Sequence, residues 1–121
     1  MKKIKIICFD LDNVICKTGK DKIYKNSKPI KRNIKTINSL YDKGYKIIIF
    51  TARFMGRGKG KINLVKKKIK PLTLNQLKKW EVKYHKVYFG KPSYDLFIDD
   101  KSLFYDKEWP KFLEKKFKIN D

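Results

Sequence analysis

The hydrophobic pattern of the chain predicts four short strands separated by helical or irregular segments. Apolar runs occupy residues 4–9 and 45–50, and shorter runs occupy 86–89 and 95–98. The two longer runs are continuous over residues 6–9 and 47–50 rather than alternating, which is typical of strands buried on both faces of a parallel sheet. The polar, lysine-rich segment 17–28 is predicted to be a loop, and the glycine-rich segment 56–60 a flexible loop.

Apolar residues at helical spacing predict three helices between and after these strands. Ser27 and Pro29 are predicted to open the first helix, and Gly44 is predicted to end it. Thr73 and Gln76 have the spacing of a capping box, which predicts that a short helix begins there. The last helix covers residues 108–117. Apolar residues on the first two helices are Ile30, Ile34, Ile37, Tyr41, Leu74, Leu77 and Trp80.

Strands that alternate with helices predict an α/β fold with a parallel sheet and helices on both faces. A chain of 121 residues fits one domain, so we interpret residues 1–121 as a single domain. Ligands bind such sheets beyond the carboxyl ends of the strands. The chemistry is therefore expected at that edge of the sheet.

The chain is strongly basic, with 32 Lys and Arg residues against 12 Asp and Glu residues and a net charge of +20. Only Arg32, Arg53 and Arg57 are arginines, and lysine is the weaker residue for base reading and bidentate phosphate recognition. The charge therefore attracts phosphorylated partners. A nucleic-acid partner is an alternative, but the shortage of arginine does not favour it. The two cysteines are too few for a disulfide framework, and no apolar run is long enough to span a membrane. We expect a cytoplasmic protein.

Acidic residues gather where two of the predicted strands end. Asp10 and Asp12 follow the first strand, and the pair Asp99-Asp100 follows the last. Carboxylates at the ends of buried strands are costly unless a cation neutralises them, and oxygen ligands suit Mg²⁺. Thr51, which follows the predicted strand 45–50, adds a hydroxyl group. Lys91, which comes after the predicted strand 86–89, adds a positive charge. A nucleophile, an acid or base, a metal and phosphate donors are what phosphoryl transfer requires.

These residues resemble the four motifs of the haloacid dehalogenase (HAD) superfamily of phosphatases. Asp10-Leu11-Asp12-Asn13-Val14 fits the first motif, Thr51 the second, Lys91 the third and Ile98-Asp99-Asp100 the fourth. Each motif is weak alone, but four in the right order and strand context are specific. The resemblance covers nearly the whole chain and implies a Rossmann-like fold. The intervals from Asp10 to Thr51 and from Thr51 to Lys91 leave no room for a cap domain.

A narrower resemblance is to the small HAD phosphatases assigned to capsular polysaccharide biosynthesis. It is carried by Thr51-Ala52-Arg53, Gly60-Lys61-Ile62-Asn63, Trp80, Val82-Lys83-Tyr84, Gly90-Lys91-Pro92 and Ile98-Asp99-Asp100-Lys101. This chain has His85 where such relatives often have Asp. The segment between Gly90-Lys91-Pro92 and Asp99 is also shorter than in such relatives, so we expect a different pocket rim.

The superfamily resemblance implies a role for each matched residue. Asp10 is expected to attack phosphorus and form an aspartyl phosphate, and Asp12 to protonate the leaving oxygen and then activate water. The expected ligands of Mg²⁺ are the Asp10 carboxylate, the Asp12 backbone carbonyl and Asp100. Asp99 is expected either to orient Asp100 without contacting the metal or to be the direct ligand in its place.

The remaining matched residues are expected to bind the phosphoryl group. Lys91 offsets the repulsion between the Asp10 carboxylate and the phosphate, and Thr51 and the Ala52 N–H hold phosphoryl oxygens. For Arg53 two roles are open, which are substrate contact and a surface salt bridge.

The expected function is that of a Mg²⁺-dependent phosphomonoester hydrolase. Its expected substrate is a sugar phosphate or related metabolite in cell-surface polysaccharide synthesis. One alternative keeps the mechanism and acts on a nucleotide or a polynucleotide 3′ end. A second alternative is a non-catalytic binding module on the same fold. Because no cap domain is expected over the site, a further alternative is a homo-oligomer in which a neighbouring subunit closes the site.

Overall fold

A computed structural model describes residues 6–21, 23–53, 62–90, 103 and 105–119, without the side chains of 62–66. The strands are β1 (Ile6–Asp10), β2 (Cys16–Lys17), β3 (Lys28–Pro29), β4 (Lys46–Thr51) and β5 (Lys86–Phe89). The helices are α1 (Lys31–Asp42), α2 (Ile62–Lys79) and α3 (Trp109–Phe117), and a single 3-10 turn covers Tyr24–Asn26. The predicted loop 56–60 and strand 95–98 lie outside the described residues.

Three of the strands form a parallel sheet in the order β1-β4-β5. Ile7 pairs with Ile47 and Asp10 with Phe50, while Thr51 pairs with Phe89. Helices flank this sheet, so the predicted α/β, Rossmann-like fold is confirmed, and the described residues contain no cap domain. The parallel pairing brings the carboxyl ends of all three strands to one edge.

The sheet is less deeply buried than its continuous apolar runs predict. Ile47 and Ile49 are fully buried, whereas Ile48 and Phe50 between them are half-buried. Phe50 stacks on Tyr88 of the neighbouring strand, with their ring centroids 5.2 Å apart, and Tyr88 itself is 40% exposed. On β4, therefore, one face of the strand is fully buried and the other is buried in part.

The helix α1 covers the deeply buried side of the core. Ile34, Ile37 and Leu40 lie in the same core cluster as Ile47 and Ile49, which is the amphipathic pattern predicted from their spacing. Gly44 follows the helix with a φ of 106°, a conformation that a residue with a Cβ rarely adopts. The predicted helix end at Gly44 is confirmed.

The helix α2 begins well before the predicted capping box. It starts at Ile62 and runs for 18 residues with Pro71 inside it, so the prediction of a short helix beginning at Thr73 is wrong. Thr73 and Gln76 lie within the helix, where they contact the buried Arg53 instead of capping a terminus. Even this helix, like the others in the described ranges, lacks the length and apolarity needed to cross a bilayer.

We expect replacement of Ile47 by Ala to lower the free energy of unfolding by about 2–5 kcal/mol, because it leaves a cavity in a fully buried site. Ile6→Ala is the matched control, since Ile6 on the neighbouring strand is 54% exposed and its replacement should cost less than about 1 kcal/mol. Urea denaturation followed by circular dichroism measures both. Equal losses for the two variants would contradict the described core.

Candidate functional site

A tight turn after β1 positions the first two acidic residues. Leu11 donates its backbone N–H to Phe50 O at 3.1 Å and to Asp10 Oδ1 at 2.9 Å, which ties the turn to β4. Asn13 then adopts a φ of 67°, a conformation for which Asn is one of the better-tolerated residues. Asp10 consequently ends the strand, while Asp12 lies inside the turn.

A second turn follows β4, the neighbouring strand. Thr51 is fully buried, and its Oγ1 accepts a hydrogen bond from the backbone N–H of Arg53 at 3.0 Å. The half-buried Ala52 lies between them. Because Asp10 pairs with Phe50, the residue before Thr51, the two turns meet at the same edge of the sheet.

Arg53 is the largest fully buried side chain of the described structure. Its Nη1 donates to Thr73 Oγ1 at 3.0 Å and to Gln76 Oε1 at 2.6 Å, both on α2. The Tyr24 ring lies against the guanidinium, with its centroid 4.7 Å from Cζ. Of the two roles left open by the sequence, the surface salt bridge is wrong, because no part of the side chain reaches solvent.

The remaining donors of Arg53 bind the Asp12 carboxylate. Nη2 lies 2.9 Å from Asp12 Oδ1, and Nε lies 3.1 Å from Oδ1 and 3.2 Å from Oδ2. The side chain of Asp12 is 22% exposed, so one partner of this ion pair is buried and the other lies partly open. A charge-assisted pair of this kind fixes the direction of the carboxylate much more firmly than an exposed pair does.

Hydroxyl groups complete the surroundings of Asp12. Thr18 donates its hydroxyl to Asp12 Oδ1 at 2.6 Å and lies 2.7 Å from Ser27 Oγ. Ser27 Oγ in turn accepts a weaker hydrogen bond from Arg53 Nη2 at 3.4 Å. Asp12, Thr18, Ser27 and Arg53 thus form a closed ring of hydrogen bonds.

The structure brings together five of the residues predicted for the site. These are Asp10, Asp12, Thr51, Ala52 and Arg53, at the carboxyl ends of β1 and β4. Lys91, Asp99 and Asp100 lie outside the described residues, so their predicted phosphate and metal roles stay predictions. Within the described ranges, no three His, Cys, Asp or Glu side chains form a group that could hold a metal ion.

Sequence reasoning missed five residues that enclose Arg53 and Asp12. They are Thr18, Tyr24, Ser27, Thr73 and Gln76. The spacing of the last two carried a usable signal, because residues three apart lie on one face of a helix and can bind the same nitrogen. Thr18 and Tyr24 lie in a segment predicted only as a loop. The prediction that Ser27 and Pro29 open the first helix is wrong, because Lys28–Pro29 forms β3 and α1 begins at Lys31.

Cys16 lies against this network but is poorly placed to react. It is fully buried, and its Sγ lies 3.6 Å from both Asp12 Oδ1 and Arg53 Nη2. Burial raises the pKa of the Cys16 thiol above its ordinary value, and the Asp12 charge acts in the same direction. The thiolate is the nucleophilic form, so this residue is a packing group of the site.

Comparisons with known proteins bear on the fold. No protein-family model matches the chain, and a search of curated proteins finds no significant match. A crystal structure from Vibrio cholerae, described as an MCSG target, is similar to this chain with a TM-score of 0.70 and 26% sequence identity. The match covers 93% of this chain and 98% of the Vibrio chain, so the similarity extends over essentially the whole of both.

We expect Asp12→Asn to lower the free energy of unfolding by about 2–4 kcal/mol, because it leaves the buried Arg53 without its anionic partner. Asp42→Asn is the matched control. Asp42 pairs with Lys83 at 2.7 Å, but both side chains are about half exposed, so this change should cost less than about 1 kcal/mol. Thermal and urea unfolding measure both variants, and equal stability of Asp12→Asn and wild type would refute the pairing.

Proposed function

We propose that this protein is a Mg²⁺-dependent phosphomonoester hydrolase that works through an aspartyl phosphate. The observation that carries the proposal is the meeting of two turns at one sheet edge. One turn supplies Asp10 and Asp12, and the other supplies Thr51 and Ala52. This arrangement offers two carboxylates and phosphate-binding donors at the position where parallel sheets bind ligands.

Asp10 is the proposed nucleophile. Its carboxylate is at the end of β1, is only half-buried, and is oriented by the hydrogen bond that Oδ1 accepts from the Leu11 N–H. A carboxylate held in this way can attack phosphorus in line as the leaving oxygen departs. The acyl phosphate that forms on Asp10 is then hydrolysed by water, which regenerates the carboxylate.

Asp12 is the proposed acid and base. Two residues beyond the nucleophile, it lies in the same turn, and its side chain is 22% exposed. It gives a proton to the leaving oxygen in the first step and takes one from the attacking water in the second. The hydrogen bonds from Arg53 and Thr18 hold the carboxylate in one direction during both steps.

The phosphoryl oxygens need donors that do not depend on solvent. The bond from Arg53 N–H uses a lone pair of Thr51 Oγ1 and leaves the hydroxyl proton for donation. The Ala52 N–H and the Lys91 ammonium are proposed as the further donors, on the motif resemblance. Together they would offset the charge of the dianionic substrate as it approaches Asp10.

The donors present at this edge fit a magnesium ion. The Asp10 carboxylate and the Asp12 backbone carbonyl are hard oxygen ligands, and Asp99 and Asp100 are proposed to add further carboxylates. The Asp12 carbonyl is proposed as a ligand on the motif resemblance, while the Asp12 side chain is engaged by Arg53. When bound, Mg²⁺ would neutralise charge on the phosphoryl group.

The proposed substrate is a small phosphorylated metabolite, a sugar phosphate of capsule or other cell-surface polysaccharide synthesis. The narrower family resemblance supports this choice. The net charge of +20 supports any phosphorylated substrate and does not separate a sugar phosphate from a nucleic-acid end. A panel of sugar phosphates, nucleotides and 3′-phosphorylated oligonucleotides, assayed with Mg²⁺ at two salt concentrations, separates these classes. A nucleic-acid substrate would bind more weakly as salt rises.

Asp10→Asn should reduce phosphate release by at least about 10³-fold, because the amide cannot form the acyl phosphate. The measurement is release of inorganic phosphate with Mg²⁺ from the best substrate of the panel and from 4-nitrophenyl phosphate. Asp42→Asn, which removes an exposed carboxylate far from the site's contacts, is the control and should retain wild-type rates.

Two outcomes would count against the proposal. An Asp10→Asn variant with wild-type activity would show that another group is the nucleophile. A folded wild-type protein that hydrolyses no member of the panel with Mg²⁺ would favour the non-catalytic binding module.

A further inference from the structure

We infer that Arg53 is a positioning residue that acts through Asp12 and does not bind substrate. This inference rests on the proposed function, because it assigns a role within the same reaction. It concerns the one buried cation of the described site and gives a specific task to residues that the sequence analysis did not connect with the site. These are Thr73 and Gln76 on α2 and Ser27 before β3.

Other residues of the described structure already accept hydrogen bonds from every donor of the Arg53 guanidinium. A guanidinium group has five N–H groups. The Nε–H group donates to Asp12, and the two N–H groups of Nη1 donate to Thr73 and Gln76. One N–H group of Nη2 donates to Asp12, and the other is shared between Ser27 Oγ and Cys16 Sγ. No donor of the Arg53 guanidinium is therefore left for a phosphoryl oxygen.

The contacts of Arg53 also connect three separate parts of the chain. Arg53 joins the turn after β1, the segment before β3 and the middle of α2 at a single point. Gln76 extends this connection, since its Nε2 donates to Tyr24 O at 2.7 Å and Tyr24 stacks on the guanidinium. The direction of the Asp12 carboxylate is thus fixed by groups from three separate parts of the chain, none of which needs to contact substrate.

The consequence concerns the general acid. A carboxyl group protonates a leaving oxygen efficiently only when it is held within hydrogen-bond reach, and such catalysis contributes about 10²–10⁴-fold. Loss of the fork-like contacts of Arg53 should therefore impair proton transfer while it leaves phosphate binding intact. The effect should be largest for substrates whose leaving oxygen most needs the proton.

Arg53→Lys tests this role, because lysine keeps the charge but cannot reproduce the bidentate contacts. We expect kcat/KM to fall by about 10²-fold for an alkyl phosphate such as glycerol 3-phosphate. For 4-nitrophenyl phosphate, whose leaving group needs little protonation, the fall should be less than about 10-fold. The inhibition constant of inorganic phosphate should stay within about 2-fold of wild type. Arg32→Lys, at an exposed arginine paired with Glu114, is the matched control.

A second variant covers the case in which Arg53→Lys fails to fold. Thr73→Val removes one acceptor of Nη1 with little change of shape, and it should give the same selective loss on a smaller scale. The double variant Asp12→Asn/Arg53→Lys, or Asp12→Asn/Thr73→Val in that case, should be no slower than Asp12→Asn. This follows because two changes that act through one group are not additive.

The outcomes separate this inference from the proposed function. A folded wild-type protein without phosphatase activity overturns both. An active wild type whose Arg53→Lys or Thr73→Val variant binds inorganic phosphate about 10-fold more weakly, with equal losses for both leaving groups, overturns only the positioning role. Equal activity of these variants and wild type on glycerol 3-phosphate also overturns it. A selective loss on the alkyl substrate with unchanged phosphate inhibition supports it.

Discussion

A guanidinium group that is removed from water must find a partner for each of its donors, because a buried unpaired charge is severely destabilising. Arg53 meets this requirement with Asp12 on one side and with Thr73 and Gln76 on the other. Since these partners belong to the turn after β1 and to α2, the requirement holds those elements in a fixed relation. The direction of the Asp12 carboxylate is a consequence of this constraint on Arg53.

The parallel sheet supplies the rest of the site. The register that pairs Asp10 with Phe50 brings the two turns to one edge, and the bond from Leu11 to Phe50 O locks the first turn onto β4. Asp10 and Asp12 are thereby held differently although they are two residues apart. Asp10 is half-buried at the strand end and suits a nucleophile, whereas Asp12 is tied to a buried cation and suits a group whose direction matters. The proposed division of labour between them follows from these surroundings.

Much of the fold could be predicted because it depends on local patterns. The apolar run 45–50, the helical spacing of Ile34, Ile37 and Leu40, and Gly44 at a positive φ each carry their signal within a few residues. The surroundings of Arg53 could not be predicted in this way. Arg53 is 20 residues from Thr73, and only the packing of α2 brings the two together. The spacing of Thr73 and Gln76 also led to the wrong prediction that a helix begins at Thr73. A spacing of three residues fits a capping box, but it equally fits two side chains on one helix face that bind the same group.

The central claim is that the Asp10 carboxylate accepts the phosphoryl group, and the most direct measurement is to look for it there. Wild-type protein mixed with 4-nitrophenyl phosphate and Mg²⁺ is quenched in acid within a turnover, digested and mapped by mass spectrometry. We expect a phosphate on Asp10, in a peptide that is unmodified when substrate is omitted. Turnover with the phosphate on another residue, or with no phosphorylated side chain at any quench time, would contradict it.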